Sequence, residues 1–343
     1  MVKRAAWVVV SLLSLMAVAW WASRQHEPQM PTNARGALWL VAALAIYAAA
    51  LALRGWRWHR ILILSGIAHR RADAFGLTQV AYMGNTVLPA RGGEMLRTTI
   101  LKKRSAAGVP EIVGTLMAEL LFGLVALGAL FAALTWEGVA GAPTGRLAAD
   151  IAGAATVATA AVVALCRVLR LGGRFEALAA RVRPFVRASR LLARPEGIPL
   201  LGMSVLIWLL EGLTLLLVGN ALALHLSVSK ALLTAVVAAL ATSLPAGPGY
   251  AGSYDASVLL TLHASGIAGG SAVGFLLLAR FVVFVPVTVV GAGLLLTRYG
   301  GLRLTGRWRQ SSTRERHERM RLSLPLSVAG AATTDAAARN SEA

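Results

Sequence analysis

Six stretches of this sequence carry apolar residues almost without interruption, near residues 5–22, 36–53, 110–134, 149–166, 198–219 and 271–297. Each is about as long as the roughly 20 helical residues needed to cross some 30 Å of hydrocarbon. Two further apolar segments, 74–101 and 231–263, do not fit as simple spans. Both are broken near the middle by proline and glycine, at Leu88-Pro89-Ala90-Arg91-Gly92-Gly93 and at Leu244-Pro245-Ala246-Gly247-Pro248-Gly249. A helix ends before such a proline, and the glycines let the backbone turn. The pattern predicts an all-α polytopic membrane protein of about six full spans and two broken hairpins.

Composition agrees with that pattern. The chain is 57% hydrophobic and 14% charged, where an ordinary soluble domain carries about a quarter of its residues as charges. The formal net charge of +19 would suggest nucleic acid in a soluble chain, so the placement of the charges decides its meaning. Read from a cytoplasmic N-terminus, 29 of the 34 Lys and Arg fall in segments on the inside, four fall outside, and Arg280 lies within a span. Arg54, Arg57, Arg60, Arg70 and Arg71 are among those assigned to the inside. This is the positive-inside distribution, with both termini cytoplasmic, and it needs no nucleic-acid partner. Lys3, Arg4 and the short run to Ala17-Val18-Ala19 also resemble a secretory signal, although Trp20 and Trp21 read as the interfacial belt of a retained span.

With six spans around them, segment 74–101 enters and leaves on the cytoplasmic side and segment 231–263 on the outer side. Both therefore read as re-entrant, and paired breaks of opposite orientation are the sign of an inverted-repeat transporter core. The register is open, since Pro89 matches either Pro245 or Pro248; two unrelated broken helices would also give this pattern. The first half covers about 36–166 and the second about 198–297. Residues 174–194, with Arg183, Arg187, Arg190 and Arg194 in one stripe, read as a helix on the membrane surface joining them. Residues 301–343 form a cytoplasmic tail, expected to be disordered at its end.

Broken helices at membrane depth are tolerated only where the open backbone is buried in protein or faces a wet cavity. Helices restarting near Gly93 and Ser253 would aim their N–H groups at the breaks, and such ends bind anions. Arg91 and Arg97 stand beside the first of them, where positive-inside placement alone would also account for both. Glu94 and Asp255 fall in the first turns, suited to the helix dipole. Glu119, Glu211 and Arg280 lie deep in spans, at a cost of about 2.5–3.5 kcal/mol each on insertion scales, so Arg280 is expected to pair with Glu119 or Glu211. The lone Cys166 and scattered histidines offer no metal site, and no cofactor or nucleotide fingerprint stands out.

The run Asn85-Thr86-Val87-Leu88-Pro89-Ala90-Arg91-Gly92-Gly93-Glu94-Met95-Leu96-Arg97, followed by a span containing Glu119, resembles the first signature of the lysylphosphatidylglycerol synthase transmembrane-region family. Pro248-Gly249-Tyr250-Ala251-Gly252-Ser253-Tyr254-Asp255, followed by Arg280, is similar to the second. Ala90 and Ala246 stand where glycine is common, and Asp255 where glutamate is more usual. The resemblance covers roughly residues 5–300. It implies lipid translocation or lipid handling in a prokaryotic inner membrane, by a flippase-like domain without the aminoacyltransferase domain.

The expectation is therefore a flippase-like lipid transporter, not an enzyme, that holds the headgroup of an anionic phospholipid or lipid-linked phosphate between the two breaks. Its expected substrate-binding residues are Asn85, Pro89, Arg91, Gly92, Gly93, Glu94, Arg97, Glu119, Pro248, Gly249, Gly252, Asp255 and Arg280. Two alternatives stay open: a membrane-embedded transferase acting on lipid-linked sugars (or its accessory subunit), and a small-solute secondary transporter. Against the transferase, Glu176 and Glu196 lie among arginines and offer no acidic pair for a metal and a nucleotide sugar.

Overall fold

Asn33 starts the first described helix by accepting the Gly36 N–H on its side chain at 2.7 Å, the usual work of an N-cap asparagine. That helix, α1, runs Ala34–Leu64. The computed structural model describes residues 28–88, 92–138, 191, 194–243 and 248–300. The helices that follow are α2 (Arg71–Val87), α3 (Gly92–Arg104), α4 (Val109–Trp136), α5 (Gly197–Ala221), α6 (Val228–Ser243), α7 (Ser253–Ala264) and α8 (Gly269–Thr297), with a 3-10 turn at Pro248–Tyr250. The described residues contain no strand, and α1, α4, α5 and α8 are each long and apolar enough to cross a membrane. The expected spans at 5–22 and 149–166, most of the surface helix at 174–194 and the tail at 301–343 lie outside the described residues.

The chain divides into two compact units, residues 1–294 and 295–343. Of the second, the described part is little more than the last turn of α8. All that follows concerns the first.

One sequence expectation is corrected by α1. The basic run from Arg54 was assigned to a cytoplasmic segment after a span ending at residue 53, but the helix continues for another eleven residues. Arg54 and Arg57 are buried within the bundle, 3% and 5% exposed. The reason is periodicity. Arg54 and Trp58 follow Tyr47 and Leu51 on the face that α1 turns inward, so the stripe of packed positions runs straight through the arginines. The first real stop comes at Ser65 and Gly66, where Gly66 takes a φ of 70°.

The breaks form where proline and glycine place them. Leu88 is extended, with φ −96° and ψ 143°, as the residue before a proline must be. The chain then returns as α3, antiparallel to α2. Arg104 pairs with Asp73 at the open end of this hairpin, and Gly93 meets Gly84 at its tip. In the second half α6 and α7 pack together across the other break. The central packing is α1 against α5, with α4 against both, and Phe275, Ala279 and Val282 of α8 join Tyr47, Val218 and Val258 in the main apolar core.

Candidate functional site

Inside this apolar bundle lies a chain of ion pairs. Arg57 donates from Nη2 to Glu119 Oε1 at 3.1 Å and from Nη1 to Ser204 Oγ at 2.7 Å. Arg97 donates from Nη2 to the other Glu119 oxygen at 2.9 Å, so one carboxylate of α4 ties α1 to α3. Arg97 also donates to Glu94 Oε2 from Nε at 3.1 Å and from Nη2 at 2.6 Å. Its guanidinium lies 4.4 Å from the centre of the Trp58 ring, and Trp58 is held in turn by Thr115 Oγ1 at 3.1 Å. One helical turn before Arg57, Arg54 pairs with Glu211 of α5. The Arg54 guanidinium sits over the rings of Tyr82 and Trp208, at 5.1 and 5.3 Å.

These groups line a cavity of about 350 Å³. Arg54, Arg57, Arg97, Glu94, Glu119, Glu211, Tyr47 and Tyr82 contribute its polar wall, while Leu120, Leu124, Leu127, Val283 and Val287 contribute an apolar one. Three arginines and three glutamates nominally balance. Yet Arg54 Nη1, Arg57 Nε, Arg97 Nη1 and Tyr254 Oη are buried without a hydrogen-bond partner among the described residues. Buried donors in that condition are costly, and here they belong to residues around one cavity. An amphipathic ligand with an anionic or strongly accepting head would satisfy them.

The second break adjoins the first. A Cβ on Gly249 would lie 3.6 Å from the Thr86 carbonyl and 3.9 Å from Arg280 Nη1, and Thr86, Glu94, Tyr250 and Tyr254 all line the cavity. Gly249 and Gly252 adopt φ of 64° and 88°, conformations that glycine takes at little cost. Tyr250 between them is also left-handed, at 55°. Gly93, one of the expected substrate-binding residues, packs against Ala81 and Asn85 of α2. Asn85 is the tip's clasp: its Oδ1 accepts the Gly93 N–H at 3.0 Å, and its Nδ2 reaches Glu94 Oε1 at 3.4 Å. Gly92 packs on Leu88. Pro89 and Arg91 lie outside the described residues, and Pro248 opens the 3-10 turn.

A second correction concerns Arg280. It pairs with Asp255, through Nε to Oδ1 and through Nη2 to Oδ2 at 2.8 Å, and with neither Glu119 nor Glu211. Asp255 sits three residues after Gly252, whose N–H it accepts at 3.0 Å, so the restart of α7 presents its carboxylate to α8. Arg97 has already taken Glu119, and Arg54 has taken Glu211. Replacing Asp255 by asparagine leaves an acceptor for only part of this set. It should destabilise the protein by about 1–3 kcal/mol, read as a lower melting temperature in detergent. Arg280 keeps 27% of its side chain accessible, which limits the loss. An unchanged melting temperature would show the pair to be energetically idle.

Arg54 and Arg57 are the site residues that sequence reasoning missed. The signal for Arg54 is its helical spacing from Tyr47 and Leu51, and Arg57 follows one turn later.

The fold defines a multi-pass membrane protein with a buried polar cavity. The chain belongs to the family described as the lysylphosphatidylglycerol synthase TM region, which matches residues 6–291. It is also similar to Glycosyltransferase AglD of Haloferax volcanii, at 29% identity over 261 residues, covering 63% of this chain and 42% of that protein. The chain thus matches less than half the length of that relative. No solved structure matches it. The expectation that the chain is not an enzyme is corrected by this similarity, because the named relative is a glycosyltransferase. That expectation drew on the resemblance to a flippase-like domain and on Glu176 and Glu196 offering no acidic pair for a metal and a nucleotide sugar.

Proposed function

We propose that the cavity receives the phosphate-bearing headgroup of a membrane lipid and that the chain carries that headgroup between the two faces of a prokaryotic inner membrane. One observation carries the reading: three buried arginines around a single cavity each keep an N–H without a partner. Guanidinium groups and phosphate oxygens match in charge and in fork geometry. The apolar wall of α4 and α8 suits the acyl chains beside the head. Thr86 and Glu94 of one broken hairpin and Tyr250 and Tyr254 of the other line the cavity, which suits the site of a translocated substrate.

The test is transfer of fluorescent phosphatidylglycerol in proteoliposomes, with phosphatidylcholine as comparison. Phosphatidylglycerol should move faster, and Arg97→Lys should slow it at least tenfold, since an ammonium cannot contact Glu94, Glu119 and a phosphate in the same plane. Thermal stability measured alongside separates lost binding from lost folding, because Arg97→Lys retains the buried charge. Equal rates for both lipids, or full activity in a folded Arg97→Lys protein, would end the proposal.

A second reading follows from the glycosyltransferase relative. The same cavity would hold a lipid-linked sugar phosphate during transfer. Mass spectrometry of lipids that copurify with the protein separates the two: phosphatidylglycerol supports the first, glycosylated lipid phosphate the second.

A further inference from the structure

We infer that Glu94 is a built-in competitor of the lipid phosphate, holding the edge of Arg97 that the headgroup must take. The inference rests on the headgroup reading above and says which carboxylate sets its affinity.

The three cavity glutamates differ in what holds them. Glu119 is shared by Arg57 and Arg97 and its side chain is 10% exposed. Glu211 is fixed by Arg54 and is 19% exposed. Glu94 is 32% exposed and lines the cavity, and among the described residues its charge is answered by Arg97 alone, a residue that Glu119 already neutralises in part. Glu94 is therefore the carboxylate that costs least to move into water. Its partner would stay behind. Arg97 is anchored independently of Glu94 by Glu119 Oε2 at 2.9 Å and by the Trp58 ring at 4.4 Å.

The arrangement of donors gives the exchange a route. Glu94 Oε2 accepts from both Nε and Nη2 of Arg97, the bidentate edge of the guanidinium, while Nη1 has no partner among the described residues. A phosphate can dock on Nη1 first and then move onto the Nε–Nη2 edge as Glu94 leaves it, while Glu119 keeps its own bond to Nη2. The displaced carboxylate remains over the first turn of α3, where the helix dipole and the Asn85 amide favour it. Such competition keeps binding reversible. A carrier has to release what it binds, so a resident anion that reclaims the arginine serves transport better than an open cation would.

The test uses the full-length protein in neutral detergent, titrated with dihexanoylphosphatidylglycerol and separately with inorganic phosphate, for wild type, Glu94→Gln and the exposed control Glu137→Gln. Glu94→Gln should tighten phosphatidylglycerol binding roughly five- to tenfold, because a neutral amide holds Arg97 less strongly than a carboxylate does. Its melting temperature without lipid should fall slightly, so affinity and stability move in opposite directions. A merely structural Glu94 would lower both. Tightening toward inorganic phosphate as well assigns the competition to the phosphate itself; tightening toward phosphatidylglycerol alone assigns it to the lipid. The inference is overturned if wild type binds and Glu94→Gln binds equally or more weakly, or if Glu137→Gln tightens binding as much. If wild type binds neither ligand, the headgroup reading fails first and the inference falls with it.

Discussion

Replacing Glu119 with alanine should lower the stability of the protein by about 3–5 kcal/mol, the usual cost of removing one partner from a buried ion pair. The carboxylate is 10% exposed and answers two arginines at once, Arg57 at 3.1 Å and Arg97 at 2.9 Å. Without it, Arg57 keeps only Ser204 and Arg97 keeps only Glu94 as hydrogen-bond partners among the described residues, and two cations from α1 and α3 face each other across the α4 gap. In a chain of this size a loss of that order corresponds to a fall in melting temperature of roughly 4–7 °C. Glu119→Gln should fall between, because an amide can still accept from one arginine. Thermal denaturation in detergent of wild type and both variants checks this. A shift below about 2 °C for Glu119→Ala would mean that water or lipid headgroups compensate the arginines, and the network would not be structural.

The sequence made the architecture readable because the bilayer simplifies it. Long apolar runs give α1, α4, α5 and α8, and the Pro/Gly breaks give the two helical turns-back within a few residues of where they occur. Glu119, Glu211 and Arg280 were singled out from cost, since an ionised side chain among apolar neighbours needs a reason to be there, and Glu94, Arg97 and Asp255 from their place at the restarted helix ends. The pairings were not readable. Arg280 finds Asp255 because the turn at Gly249–Gly252, with left-handed glycines at both ends, brings the start of α7 against α8. Nothing in the linear spacing distinguishes that partner from Glu211. Arg54 and Arg57 were misplaced for a different reason. Positive-inside counting treats every arginine near a span end alike, whereas burial depends on which side of the helix it occupies. Tyr47, Arg54 and Trp58 share one face, and that face is inside.

The most severe steric effect is expected at Gly93. A Cβ there would stand 1.8 Å from the Ala81 carbonyl oxygen and 2.7 Å from both the Ala81 carbonyl carbon and the Asn85 amide nitrogen. All three obstacles are backbone atoms of α2, so no side-chain rotation relieves the clash. Gly93→Ala must push α3 away from α2 at the tip of the hairpin. Overpacking of this kind typically costs about 1–3 kcal/mol and occasionally more, and contact with backbone on every side places this substitution at the upper end. The separation also breaks the Gly93 N–H bond to Asn85. Glu94 and Arg97 follow on the same two turns, so the displacement carries the arginine off Glu119 and Trp58. Loss of phosphatidylglycerol transport should therefore accompany loss of stability. Gly202→Ala is the matched control: Gly202 is helical with no atom near the added methyl, and alanine there should stabilise by about 0.5–1 kcal/mol through helix propensity. Melting temperatures of the two variants should move in opposite directions. If Gly93→Ala melts with Gly202→Ala and still transports lipid, the close approach of α2 and α3 does not exist in the membrane, and the placement of Arg97 at the cavity loses its support.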